Sequence, residues 1–200
     1  MSYRLTDTLE LGSSSPEDPV EKWIRFLESG APSERQKALR QLVRLRAELR
    51  LVACLRHPDP LTVALATNGL WDCWLNEKGR NAKKRITAGV AHMEAGEFDA
   101  AAELFLGLMA DFPDWAEAIN KQATLHYLRG QPALSQTLCE QVVRMKPHHF
   151  GAWSGLGLCA AQLNQWERVR DAAQKSLELI PSSDSSRHLL AIAIEELGKD

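Results

Sequence analysis

Three prolines, Pro113, Pro147 and Pro181, stand 34 residues apart, twice. A period held through three windows constrains this chain more than any other feature. Each window must be the same supersecondary unit, stacked on its neighbour to bury a face it cannot bury alone. Further positions keep the register: Gly89, Ala123 and Gly157, then Gly96, Gly130 and Asn164, then Phe98, Pro132 and Trp166. The small residues let two antiparallel helices approach closely, and Phe105, Trp153 and Trp166 fill the space between them. Gly96 and Gly130 suit a helix-ending position with positive φ. The prolines stop the second helix of each unit. Asp114-x-x-Glu117 reads as a capping box that restarts the next one. The last segment, "SSDSSRHLLAIAIEELGKD", predicts a closing helix that opens at Ser183 or Asp184. Glu195, Glu196 and Lys199 give that helix the wet outer face a terminal cap needs.

These positions resemble the tetratricopeptide repeat, or TPR. Trp153-x2-Leu156-Gly157 matches the first block of its pattern, and Ala101-x3-Phe105 followed by Pro113 matches the second. The resemblance covers 82–115, 116–149 and 150–183, with a partial fourth unit from 184. Ser135 and Val169 depart from its alanine, and His92 and His126 stand where Tyr is usual. Upstream, "LESGAPSERQKALRQL" and "LRHPDPLTVALATNGL" align with an offset of 28, pairing Pro32 with Pro60, Ala38 with Ala66 and Leu42 with Leu70. This resembles a pair of HEAT repeats, another helix-pair solenoid. The Ser33-x-x-Gln36 box and the Asp59-Pro60 start both read as helix openings. The expected architecture is all-α: a right-handed α-solenoid of HEAT-like and then TPR helix pairs, closed by a C-terminal capping helix. Its expected divisions are a disordered lead over 1–15, HEAT-like repeats over 16–80, and TPR units with the cap over 81–200. About eleven helices and no strands are predicted. Residues 71–84 form the junction, with Trp71 and Trp74 on one helix face packing across it.

The chemistry-bearing residues do not form a catalytic pattern. His148 and His149 fall at the turn between units, without a third metal ligand nearby in sequence, and His149 aligns with Trp115. Gly155 and Gly157 lie inside a predicted helix with no strand before it, which rejects a phosphate loop. His92 and His126 share one repeat position and read as hydrogen-bonded packing residues. No Gly-x-Ser-x-Gly, HExxH or Walker-type motif occurs. The expectation is no enzyme, no cofactor and no metal. Cys54, Cys73, Cys139 and Cys159 make no CxxC pair, so they fit a reducing, cytoplasmic-type compartment better than a disulfide framework. The first residues lack the charged and apolar regions of a secretory signal. No apolar run reaches the length of a membrane span.

Binding surfaces remain, and the expected role is a scaffold or adaptor for a protein or peptide partner, of the kind that serves as an assembly factor. In TPR proteins the first helix of each pair lines a concave surface, with ligand contacts at repeat positions 2, 5, 9 and 12. The resemblance places the groove on Ile86, Val90, Met93, Asn120, Thr124, Tyr127, Ser154 and Leu158. It also implies where a carboxylate clamp for chaperone tails would need basic and amide side chains. Four of those positions hold Ile86, Val90, Gly151 and Gly155 instead, which argues against a clamp. The second surface is basic. Residues 33–56 carry seven Lys or Arg against Glu34 and Glu48, and Lys37, Arg40 and Arg44 share one helix face. It would take an acidic protein or, as the alternative function, RNA. The net charge of −2 gives no global drive toward nucleic acid, and no aromatic residues interleave with these charges. The residues leave open which surface dominates, and they leave the oligomeric state open too.

Overall fold

The computed structural model describes residues 18–199, so the expected lead over 1–15 lies outside the described residues. The described residues form eleven α-helices and no strand. They are α1 (Pro19–Ser29), α2 (Pro32–Arg44), α3 (Glu48–Cys54), α4 (Pro60–Leu75), α5 (Gly79–Glu94), α6 (Phe98–Asp111), α7 (Ala116–Leu128), α8 (Pro132–Met145), α9 (Phe150–Gln162), α10 (Trp166–Leu179) and α11 (Asp184–Leu197). Helices α5/α6, α7/α8 and α9/α10 are the three 34-residue hairpins, and α11 packs on α10 as the closing helix. None of the helices is long and apolar enough to cross a membrane.

The period has a backbone cause. Gly96, Gly130 and Asn164 end the first helix of each hairpin in the left-handed region, at φ 78°, 69° and 54°. There the next residue's N–H reaches back over the helix end, as Gln131 does to the His126 carbonyl at 2.9 Å. His92 and His126 serve the same turns, since each ring bonds the side chain just before the second helix, Glu97 and Gln131. The larger residues then pack between the helices. Phe105 is fully buried and lies against Gly89, which leaves no room for a β-carbon there. Beneath it Ala82, Ile86, Ala101, Leu108 and Leu125 complete the first hairpin's core.

The N-terminal helices make two hairpins that stack through α2 and α4. The paired positions of the 28-residue offset are equivalent in space: Ala38, Ala66, Leu42 and Leu70 are all fully buried. Pro32 and Pro60 each sit in the first turn of a helix, where a missing N–H costs nothing. Asp59 caps α4 as expected from Asp59-Pro60, accepting from the Leu61 and Thr62 amides. Two expected capping boxes are corrected. At α2 the cap falls on Ala31, whose N–H donates to Glu34 at 2.8 Å, and Ser33 lies inside the helix. At α7 the cap position is Trp115. Asp114 is drawn away by Lys78 at 2.5 Å, and Glu117 is turned into the interior. In both cases a tertiary partner or a neighbouring proline decided which residue enters the helix.

Gly89→Val should lower stability by about 1–3 kcal/mol, because its branched carbons would collide with the Phe105 ring. Gly107→Ala faces only the far end of the Arg85 side chain, which pairs with Asp111, and should be neutral or slightly stabilising through helix propensity. Urea denaturation of the two variants checks both, and equal midpoints would contradict the packing described.

Candidate functional site

His148 and His149, the residues most suggestive of chemistry, are joints between the two halves of the chain. His149 caps α9: the Ala152 N–H donates to its Nδ1 at 3.1 Å. The ring proton is therefore on Nε2, which donates to Glu117 at 3.0 Å. Both side chains are fully buried. Lys121 lies 2.9 Å from the second Glu117 oxygen, out of hydrogen-bonding alignment, so that contact is ionic. Burial raises the Glu117 pKa, and the His149 hydrogen bond and the Lys121 charge outweigh it, leaving the carboxyl below its ordinary range. Against this pair lies Trp74, itself fully buried, its ring stacked on His149 with centroids 4.1 Å apart. The Trp74 carbonyl accepts from Trp115 Nε1 at 2.9 Å, and its own indole donates to Glu48 at 2.7 Å. Glu48 also takes Lys146 at 3.0 Å and His148 at 2.5 Å. Farther along, Arg56 donates to the Glu178 carbonyl at 2.8 Å. The segment 48–78 thus lies along all three turns that end the repeats. The sequence marked Trp71 and Trp74 as packing residues, but no local signal tied Glu48 to Lys146, 98 positions away.

The expected groove is only partly assembled. Asn120, Thr124 and Tyr127 on α7 and Ser154 and Leu158 on α9 line one hollow of about 160 Å³. Ile86 does not belong to it, because that side chain is fully buried under the first hairpin. Val90 and Met93 are half-buried against the same core and do not line the hollow either. The floor comes from residues that position counting missed, Ser135 and Cys139 on the second helix α8. They show through because Gly151 and Gly155, four apart on α9, have no side chains to cover them. That spacing was the available signal. Beside the hollow, Trp71 packs against Gly151. A β-carbon at Gly151 would stand 2.5 Å from its ring, and Lys121 sits 5.0 Å above that ring.

The electrostatics of this site are neutral. Thr124 donates to the Asn120 carbonyl at 3.0 Å. The Asn120 side chain is only 5% exposed, yet its amide has no hydrogen-bond partner among the described residues. The Cys139 thiol is pushed up to about 12, first by burial, so it is no nucleophile at neutral pH. Among the described residues no group of three His, Cys, Asp or Glu side chains could hold a metal ion. The hollow is also well below the roughly 300–1,000 Å³ of small-molecule sites. It fits one side chain of a longer ligand.

The basic residues divide. Lys37 lies over the Trp23 ring at 5.8 Å, whereas Arg40 and Arg44 turn toward Arg46, Cys73 and Asn76.

No family model matches the chain. It is 28% identical over 85 residues to a TPR repeat-containing protein of Rhizobium etli, a match covering 42% of each chain. It is 28% identical over 163 residues to the human FK506-binding protein-like protein, covering 76% of this chain and 45% of that one. The chain thus spans less than half the length of these curated relatives. Among solved structures it is similar to the first TPR domain of Spaghetti (RPAP3) bound to the HSP90 peptide SRMEEVD. That match has a TM-score of 0.57 and 19% identity, over 58% of this chain and 93% of the domain. The fold is that of the TPR proteins, and the hairpins of residues 82–183 are its repeats.

The seam predicts an acid response. Burial raises the Glu48 pKa, but hydrogen bonds from His148, Trp74 and Lys146 bring it down to about 2, from an ordinary 4.5. A depressed carboxyl stabilises the fold above its unfolded value, and that stability is lost as pH falls from 4.5 through about 2. Glu48→Gln should flatten this loss and cost about 1–3 kcal/mol at neutral pH. Urea midpoints across that range check it, and an unchanged acid slope in the variant would assign the response elsewhere.

Proposed function

We propose that this protein is a non-enzymatic scaffold or adaptor that holds an extended segment of a partner protein across α7 and α9, in the manner of an assembly factor. The observation that carries the reading is Asn120. Its amide makes no hydrogen bond within the fold and opens onto the hollow, where it can meet a ligand's backbone. Asn120 bonds the bound main chain, Tyr127 supplies a flat contact, and the hollow over Cys139 and Leu158 takes one aliphatic side chain. The solved TPR domain bound to a chaperone peptide supports peptide binding on such hairpins. This chain departs from a charged clamp, however. Ile86 is buried, and Trp71 occupies the space that a long basic side chain at position 151 would need. The preferred segment is therefore neutral and aliphatic.

Two outcomes follow. Peptides selected on the protein from a random library should be enriched in aliphatic residues and should bind Asn120→Ala at least tenfold more weakly, about 1.4 kcal/mol. The same variant should melt close to the wild type, since the Asn120 amide makes no hydrogen bond within the fold. Equal peptide affinity for both proteins would remove the groove as the site. The SRMEEVD peptide, in turn, should fail to displace a selected peptide at concentrations up to about 1 mM. Displacement in a competition assay would show that a clamp operates without its basic residues.

A further inference from the structure

Helix α2 ends in the same turn as the first helices of the repeats, but on a different kind of residue. Its last turn closes with Arg46 N–H on the Val43 carbonyl at 3.1 Å and Ala47 N–H on the Leu42 carbonyl at 3.0 Å. That arrangement needs a residue in the left-handed region, and Arg46 supplies it at φ 53°. At the three equivalent turns downstream the chain uses Gly96, Gly130 and Asn164, residues that tolerate this conformation. A long side chain there gives up about 1 kcal/mol relative to glycine.

The turn brings the Arg46 side chain to a hollow of about 330 Å³ that it lines with Arg40, Arg44, Val43, Cys73 and Asn76. All three arginines are exposed. None has a carboxylate partner among the described residues. The nearby carboxylates are engaged elsewhere, Glu48 with Lys146 and His148, and Asp72 with Lys83 at 3.7 Å. Arg40 and Arg44 also repel each other at i, i+4, a small cost with no return inside the fold. Three unpaired guanidinium forks around one hollow match several carboxylates, each held by two parallel hydrogen bonds. Val43 and Cys73 offer an apolar strip for the methylenes of glutamate. No aromatic ring lines the hollow for a base to stack on, and three cations in one compact place do not track a phosphate backbone.

We propose that Arg40, Arg44 and Arg46 form a second binding site, separate from the groove, for a glutamate-rich segment of a protein partner. Fluorescence anisotropy with labelled octaglutamate and with octauridylate on the full chain tests it. Octaglutamate should bind saturably, roughly fivefold more weakly for each arginine replaced by glutamine. Arg46→Gly should separate the two roles of that residue. It weakens octaglutamate binding by a similar factor, yet raises Tm by about 2–4 °C through the relaxed turn. Asn120→Ala should leave octaglutamate affinity unchanged, which keeps this site's fate distinct from the groove's. Tighter binding of octauridylate than of octaglutamate, octaglutamate affinity that is indifferent to the arginines, or a lowered Tm in Arg46→Gly would each overturn the proposal.

Discussion

Trp74 carries the contact on which the two halves of this chain depend. Its ring stacks on His149, its carbonyl holds Trp115 and its indole holds Glu48. His149 and Trp115 occupy the same repeat position, the cap of a first helix, so one residue of α4 grips two successive repeat turns. The polar groups this buries are matched one to one. The fixed tautomer of His149 gives Glu117 a donor, and Lys121 gives it a counter-charge. Without those partners a carboxylate at zero exposure would cost several kcal/mol.

The same seam shapes the candidate site. Trp71, one turn before Trp74, packs against Gly151 at the edge of the hollow. The residues that dock the N-terminal hairpins therefore also set the chemistry of the groove. They leave no room for a long cation at position 151 of α9. The proposed arginine site lies at the ends of α2 and α4, outside the repeats. The two surfaces differ in chemistry, one neutral and slotted, one cationic and open.

What could be read from the sequence was what repeats or lies close along the chain. The left-handed turns at Gly96, Gly130 and Asn164, the breaks at the prolines and the packing of Phe105 on Gly89 all follow from short-range sterics. Asn120, Thr124, Tyr127, Ser154 and Leu158 meet because a helix face is a matter of counting. Ile86 escaped that counting, since its side chain is drawn into the core of the first hairpin. The Asp114 cap was lost to Lys78, and the Glu48 seam spans about a hundred residues. Neither leaves any periodic trace.

The Arg56 bond to the Glu178 carbonyl has a mechanical meaning. A free helical-repeat array is a spring: each unit touches only its neighbours, so pitch and curvature can breathe. Here the N-terminal hairpins are tied to the turns after the first, second and third repeats, like a splint along a coil. Such ties oppose changes of pitch along the array. Folding is changed as well, because the last repeat cannot peel away without breaking contacts made near the beginning of the chain.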